Sequence, residues 1–389
     1  MKLNIDLDSR LTESMKAWRH HLHANPELGF EEYQTAKFIA ELLTQWGLEV
    51  HRNVGRTGVV GVLKKGDSQR SIALRADIDA LPITEINRFD HQSTNAGCMH
   101  ACGHDGHTTM LLGAAKHLAD HDDFNGTVIF IFQPNEENGK GALAMIEDGL
   151  FKHFNIDEVY GMHNIPGMPL GTFETRIGTL CASESLFEIK ITAKGGHAAM
   201  PHKGVDAILV GANIVNALQS IVSRKIDPAQ SAVVSVTEFI SDGRRNVLPG
   251  HALLKGDVRA MNPQTRQLIE EAMRRIVEGI AGAHNVGVSF TFESAFIEVI
   301  NADLPTNNAV AAARAISDAV DGDAPVKTFS EDFAHFAANR PGCFMLMGNG
   351  LEGSHAQPLH SADYDFNDDA LIPGVRFWVS LVKQELKQE

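Results

Sequence analysis

A chain of 389 residues exceeds what one ordinary hydrophobic core serves, so two domains are expected, and 43% apolar with 21% charged residues is an ordinary globular composition. A net charge of −15 argues against a nucleic-acid partner. Four cysteines in so long a chain make no disulfide framework, the first six residues lack a signal peptide's apolar run and no stretch approaches a membrane span, so a cytoplasmic protein without a membrane partner is expected.

The elements follow in chain order. Residues 9–23 and 31–47 have the apolar spacing of amphipathic helices, divided at Asn25-Pro26. Short apolar runs at Val59–Leu63, Ser71–Arg75, Thr127–Gln133 and Asp157–Met162 alternate with helical patterns at about 106–120 and 139–149. Strands alternating with helices predict an α/β domain with a mainly parallel sheet. After about residue 182 the pattern changes. Phe187, Ile189 and Ile191 alternate with Glu188, Lys190 and Thr192, the pattern of a half-buried strand, and a helix is expected over 204–223. Strands over 232–239 and 251–260 come next, then a helix opened by Asn262-Pro263, then an alternating strand from Val286 to Phe292. The order β-α-β-β-α-β is that of a ferredoxin-like α+β sandwich. Helical patterns resume at about 306–320, 331–338 and 368–386. The expected architecture is a discontinuous α/β core, 1–182 and 295–389, with a smaller domain, 183–294, inserted into it.

The 19 histidines prompt a search for metal sites. Cys102-Gly103-His104 offers a thiolate and an imidazole two residues apart, with a glycine that permits the bend. Gln133-Pro134-Asn135-Glu136-Glu137 follows an apolar run, so its glutamates sit at a strand's carboxyl end, where open α/β sheets bind ligands. Adjacent glutamates diverge, so one can hold metal while the other acts as a general base. Met162-His163 ends another apolar run, and Leu359-His360 precedes an acidic stretch. Asp77 and Asp79 follow Ser71–Leu74 and could ligate metal or orient a ligand histidine. Each element alone has an ordinary structural reading: an inert buried cysteine, a solvated acidic turn, a satisfied histidine, a helix cap. Several strand ends each carrying a metal-type residue are harder to assign to chance.

The order of these motifs, Arg75-Ala-Asp-Ile-Asp-Ala-Leu-Pro82, Met99-His-Ala-Cys-Gly-His-Asp105, Gln133-Pro-Asn-Glu-Glu137, Met162-His163, Lys194-Gly-Gly-His-Ala-Ala-Met-Pro-His202, Asn246-Val-Leu-Pro249, Ser330-Glu-Asp-Phe333 and Leu359-His360, resembles the aminoacylase and carboxypeptidase family of metallohydrolases. The nearest branch holds hippurate hydrolase, N-acetyl-amino-acid deacetylases and auxin-conjugate hydrolases. The resemblance runs from about residue 10 to about 385. It implies two divalent metal ions per chain, zinc or manganese with cobalt or nickel as alternatives, held by Cys102, His104, Glu137, His163 and His360, with Cys102 as the bridge. It implies Glu136 as the base, Asp79 as an orienting residue, and His197 as a lid histidine reaching the partner's site in a homodimer formed through the lid. Asn246 and Arg259 lie where relatives contact substrate. Asn135 stands where many relatives carry a small residue, and Cys102 where other branches have an aspartate. The implied reaction is hydrolysis of an N-acyl amino acid amide. The alternatives are a dipeptidase or carboxypeptidase with the same site, a metal-free scaffold, and a cysteine hydrolase built on Cys102.

Overall fold

A computed structural model describes residues 3, 5–121 and 124–387. The chain forms two compact units. One runs to Leu180 and resumes over Val299–Pro325 and from Asp332, and the other comprises Cys181–Glu298 with Val326–Glu331. The short return of 326–331 to the second unit departs from the expected boundaries. It is tied to the second unit by a parallel bridge between Cys181 and Lys327 and by Arg259, whose Nη1 donates to Ser330 Oγ at 2.7 Å.

The larger unit is built on an eight-stranded sheet in the spatial order Glu49–Val54, Gly58–Lys65, Gly126–Gln133, Ser71–Asp77, Glu158–Pro166, Gly342–Gly350, Phe173–Glu174, Val320–Asp321. The four central strands are mutually parallel, which fits the expected mainly parallel α/β core, while the two strands at the Glu49 end pair antiparallel. All seven residues of Ser71–Asp77 and all nine of Gly342–Gly350 are buried, as strands covered on both faces must be. The helices Ser9–Ala24, His104–Asp120 and Leu371–Glu385 pack together, contributing Met15, Leu111, Val375 and Trp378 to one core cluster. The expected helix over 306–320 is shorter, Asp303–Arg314, and 331–338 contracts to Phe333–Ala337. The strands Gly342–Gly350 and Glu49–Val54 fall outside the expected elements.

The smaller unit has the expected β-α-β-β-α-β order. Its antiparallel sheet runs Ala232–Ser241, His251–Ala260, Ser183–Thr192, Gly287–Phe296. Burial alternates residue by residue along Ser183–Thr192, with Phe187, Ile189 and Ile191 inward. Asn262 caps Pro263–His284 by accepting from the Thr265 N–H at 2.8 Å, with Pro263 in the first turn. Contrary to the sequence reading, one described helix, Ala207–Arg224, has the length and composition to cross a membrane. Its Val210, Ile214, Leu218 and Ile221 are instead buried in the core of this unit.

Candidate metal centre

The parallel register brings the carboxyl ends of three strands to one rim. Asp77 pairs with Gln133, and Arg75 pairs with both Ile131 and Gly161. Asp77, Asp79, Glu136, Glu137 and His163 therefore emerge at the same edge, the place where open α/β sheets bind ligands. Cys102 and Gly103 lead into the helix His104–Asp120 at this rim. Gly103 has φ +94°, and a Cβ there would lie 2.2 Å from Asn164 Oδ1, so both backbone and space demand glycine.

The hydrogen bonds fix which ring nitrogens keep lone pairs. His163 Nδ1 donates to the Asn164 carbonyl at 2.7 Å, leaving Nε2 facing Cys102 Sγ at 3.4 Å. His104 Nδ1 donates to the Asp79 carbonyl at 2.9 Å, leaving Nε2 at 3.8 Å from Glu137 Oε1. His360 has a left-handed φ of +67°, and its N–H donates to the Ala101 carbonyl at 2.8 Å. Its Nε2 lies 3.4 Å from the same Glu137 Oε1. Donor atoms of Cys102, His104 and His163 lie within 4.8 Å of one another, as do those of Cys102, Glu137 and His360. His104 Nε2 and Glu137 Oε1 are buried without a hydrogen-bond partner. Orphaned polar atoms are costly inside a protein, and these two converge.

The electrostatics ask for a cation. Burial disfavours charge on His104, but the Asp77, Asp79 and Glu137 carboxylates outweigh it and raise its imidazole to about 10. Burial, reinforced by the Glu137, Glu136 and Asp77 charges, pushes the Cys102 thiol well above its usual range. His163 is held neutral by burial and by the nearby His107. A protonated His104 and a neutral Cys102 are what a negatively charged pocket favours, and a divalent ion held there would displace both protons. Imidazole, carboxylate and thiolate donors with directed lone pairs fit a metal site.

Glu137's amide donates to Asp79 Oδ2 at 3.1 Å, so Asp79 braces both His104 and the glutamate turn. Glu136, buried, accepts from the Asp332 N–H at 3.4 Å. Several supporting residues were given no separate role by the sequence. His107 donates to Asp77 Oδ1 at 2.6 Å and accepts from the Asn164 N–H at 3.0 Å. Arg75, fully buried, donates to Asp77, Gln133 and Asp332. An arginine directly after the apolar run Ile72-Ala73-Leu74 is the signal that could have marked this network, because such a residue is almost never fully buried unless paired.

The three remaining candidates lie in the smaller unit. His197, exposed, sits in a two-residue strand paired with Val247–Leu248, and its Nδ1 accepts from the Ala199 N–H at 3.0 Å. Asn246 is exposed, and its carbonyl accepts from the Ala198 N–H at 3.1 Å. Arg259 is engaged by Glu184 at 2.9 Å, Asp257 at 3.0 Å and Ser330 at 2.7 Å.

Residues 73–384 match the model of peptidase family M20/M25/M40. The chain is 41% identical over 372 residues to a hippurate hydrolase of Campylobacter jejuni, covering 95% of this chain and 96% of that one. It is 37% identical over 362 residues to thermostable carboxypeptidase 2 of Saccharolobus solfataricus, covering 92% and 91%. The crystal structure of the Bacillus subtilis YXEP protein, described as a dinuclear metal binding peptidase from the M20 family, superposes with a TM-score of 0.85 at 32% identity over 97% and 99% of the two chains. Motif order, parallel core and convergent donors agree with these matches over nearly the whole length, and the chain is an amidohydrolase that belongs to peptidase family M20/M25/M40.

Proposed function

We propose that the chain hydrolyses the amide bond of N-acyl amino acids, such as N-acetyl or N-benzoyl conjugates, releasing a carboxylic acid and a free amino acid. The observation that carries this reading is the convergence of Cys102, His104, Glu137, His163 and His360 beside the buried carboxylate of Glu136. These five residues would hold two divalent ions, zinc or manganese, with Cys102 common to both donor sets. Bound there, the ions would supply Lewis acidity that lowers the pKa of a water from about 15.7 towards about 7 and polarises the amide carbonyl. Glu136 takes the proton of the attacking water and returns it to the leaving nitrogen, while Asp79 keeps His104 and the glutamate turn in place. Asn246 and Arg259 contact the substrate, Arg259 exchanging Glu184 for the substrate carboxylate, a group of the same geometry. The test adds zinc, manganese, cobalt or nickel to apo-protein and follows amino-acid release from N-acetyl and N-benzoyl amino acids, with dipeptides in parallel. Turnover of the N-acyl compounds is expected. Metal-loaded protein that cleaves only the dipeptides would overturn this reading in favour of a peptidase.

The smaller unit is proposed as a lid and dimerisation domain, hinged near residue 182 and, in place of the expected 294, near 298 where its chain ends, with His197 acting in a partner copy of a cytoplasmic homodimer. Its edge strand Ala232–Ser241 supports this, exposing Val233, Phe239 and Ile240 beside an unpaired backbone edge. An imidazole brought there donates to the tetrahedral oxyanion. Glu136→Gln and His197→Ala are each expected to be inactive alone. A mixed dimer holds one site with both defects and one with neither, so co-expression restores part of the activity. Confirmed heterodimers without recovery would place His197 in its own chain's site or outside the chemistry.

A further inference from the structure

The turn that carries Glu136 and Glu137 is held from below by a residue outside the expected site. Asn135 has φ +49°, in the left-handed region that asparagine enters more readily than other non-glycine residues. Its amide donates to Glu32 Oε1 at 2.8 Å. Two residues on, the Glu137 amide donates to Asp79 Oδ2 at 3.1 Å. Alternate amides of one turn are thus gripped by two buried carboxylates, and Glu136 projects between them. Glu32 is 0% exposed, and its other oxygen accepts from Thr57 Oγ1 at 2.5 Å. The segment that supplies Glu32 also holds the Asp79 loop, since the Glu27 carbonyl accepts from the Ala80 N–H at 2.9 Å. It packs against the turn so closely that a Cβ at Gly29 would lie 1.9 Å from Asn135 Oδ1.

We propose that Glu32 is a positioning residue of the active site, fixing the Asn135 amide and through it the directions of the Glu136 base and the Glu137 ligand. The assignment rests on the roles given above to Glu136 and Glu137. Glu32 touches neither substrate nor reacting atoms and acts through the turn alone. Its burial is costly: desolvation, helped by the nearby Asp79 charge, pushes the carboxyl up to about 7 against the pull of the hydrogen bonds from Thr57 and Asn135. Keeping a carboxyl there costs stability, as is common where a site must be held in shape. Misplacing a catalytic group by about 1 Å can cost about 10²-fold in rate, which sets the scale of the effect.

The test compares Glu32→Ala, Glu32→Gln and Leu43→Ala. Leu43 is fully buried on the neighbouring helix Tyr33–Gln45 and serves as a control for general destabilisation. Glu32→Ala is expected to lower kcat by about 10- to 100-fold with little change in KM, and to weaken cobalt binding by apo-protein by about tenfold, the scale for losing an outer support of a ligand. The visible bands of the cobalt-loaded protein should shift as Glu137 turns. Glu32→Gln can still accept from Asn135 N–H and donate to Thr57 Oγ1, so it should recover kcat to within about threefold of wild type. Leu43→Ala should lower Tm yet leave kcat and the cobalt bands of the folded protein unchanged. Unaltered kcat and cobalt bands in Glu32→Ala, or the same losses in Leu43→Ala, would overturn the proposal. If the wild-type protein cleaves no N-acyl amino acid, the substrate reading fails by itself. The cobalt bands then decide, a shift in Glu32→Ala supporting the positioning role and an unchanged spectrum rejecting it.

Discussion

Glu136→Gln should lower kcat by about 10²–10⁴-fold while leaving bound metal per chain unchanged. The amide is nearly isosteric with the carboxylate and can still accept from the Asp332 N–H, so the turn keeps its shape. It cannot take a proton. The converging donors, Cys102, His104, Glu137, His163 and His360, remain, so metal content after dialysis should match wild type. The loss should fall on kcat, because a base acts on the water in the transition state and contributes little to holding substrate. Steady-state rates with metal analysis on one preparation separate the outcomes. Near-normal turnover would remove Glu136 from the mechanism. A loss of metal equal to the loss of activity would instead make it a ligand.

The donors were legible because they lie at breaks in pattern. Glu136 and Glu137 follow the run that ends at Gln133, and His163 follows another apolar run, although its strand continues to Pro166. Parallel pairing then gathers strand ends that are far apart in sequence. What holds these residues was harder to see. Glu32 sits in a helix-entry turn where an exposed glutamate is the ordinary expectation, and nothing local shows that the turn folds under Asn135. The strand Gly342–Gly350 was missed for a different physical reason. It is buried on both faces, so it shows no alternation, and its sequence Gly-Cys-Phe-Met-Leu-Met-Gly-Asn-Gly contains no β-branched residue. By contrast, Ser183–Thr192 has one wet face and one dry face, and its alternation could be read directly. In the same way the helix near 306 ends at Arg314, although Ala315 and Ile316 continue the apolar pattern. Ile316 still packs on the core, so its place in the pattern reflects burial without helix.

Arg75→Met should destabilise the larger unit by about 3–5 kcal/mol, the scale for removing one partner from a buried ion pair. Arg75 is 0% exposed, and so are the two carboxylates it bridges, Asp77 at 2.8 Å and Asp332 at 3.1 Å. It also donates to Gln133 Oε1 at 2.7 Å, while Gln133 Nε2 donates to Asp332 at 2.7 Å. Methionine fills much of the volume but takes the guanidinium from both carboxylates, leaving Asp77 its contact with His107 and Asp332 its hydrogen bonds from Gln133 and Ala142. For a unit of this size the loss corresponds to a fall in Tm of roughly 10 °C. Arg75→Lys should recover only part of it, because an ammonium cannot reach three partners held in the planar spread of a guanidinium. The charge argument has a sharper check in the pair Arg75→Met and Asp332→Asn. If burial of a carboxylate deprived of its guanidinium is the main cost, removing that charge restores stability, and the double variant should lie above the sum of the two single losses. The coupling should fall within about 0.5–3 kcal/mol, since Asp77 still lacks its arginine in the double variant. Chemical denaturation of the four proteins measures it. Strictly additive losses would mean that Arg75 acts through packing of its stem, and that the link between Asp77 and Asp332 carries no energy of its own.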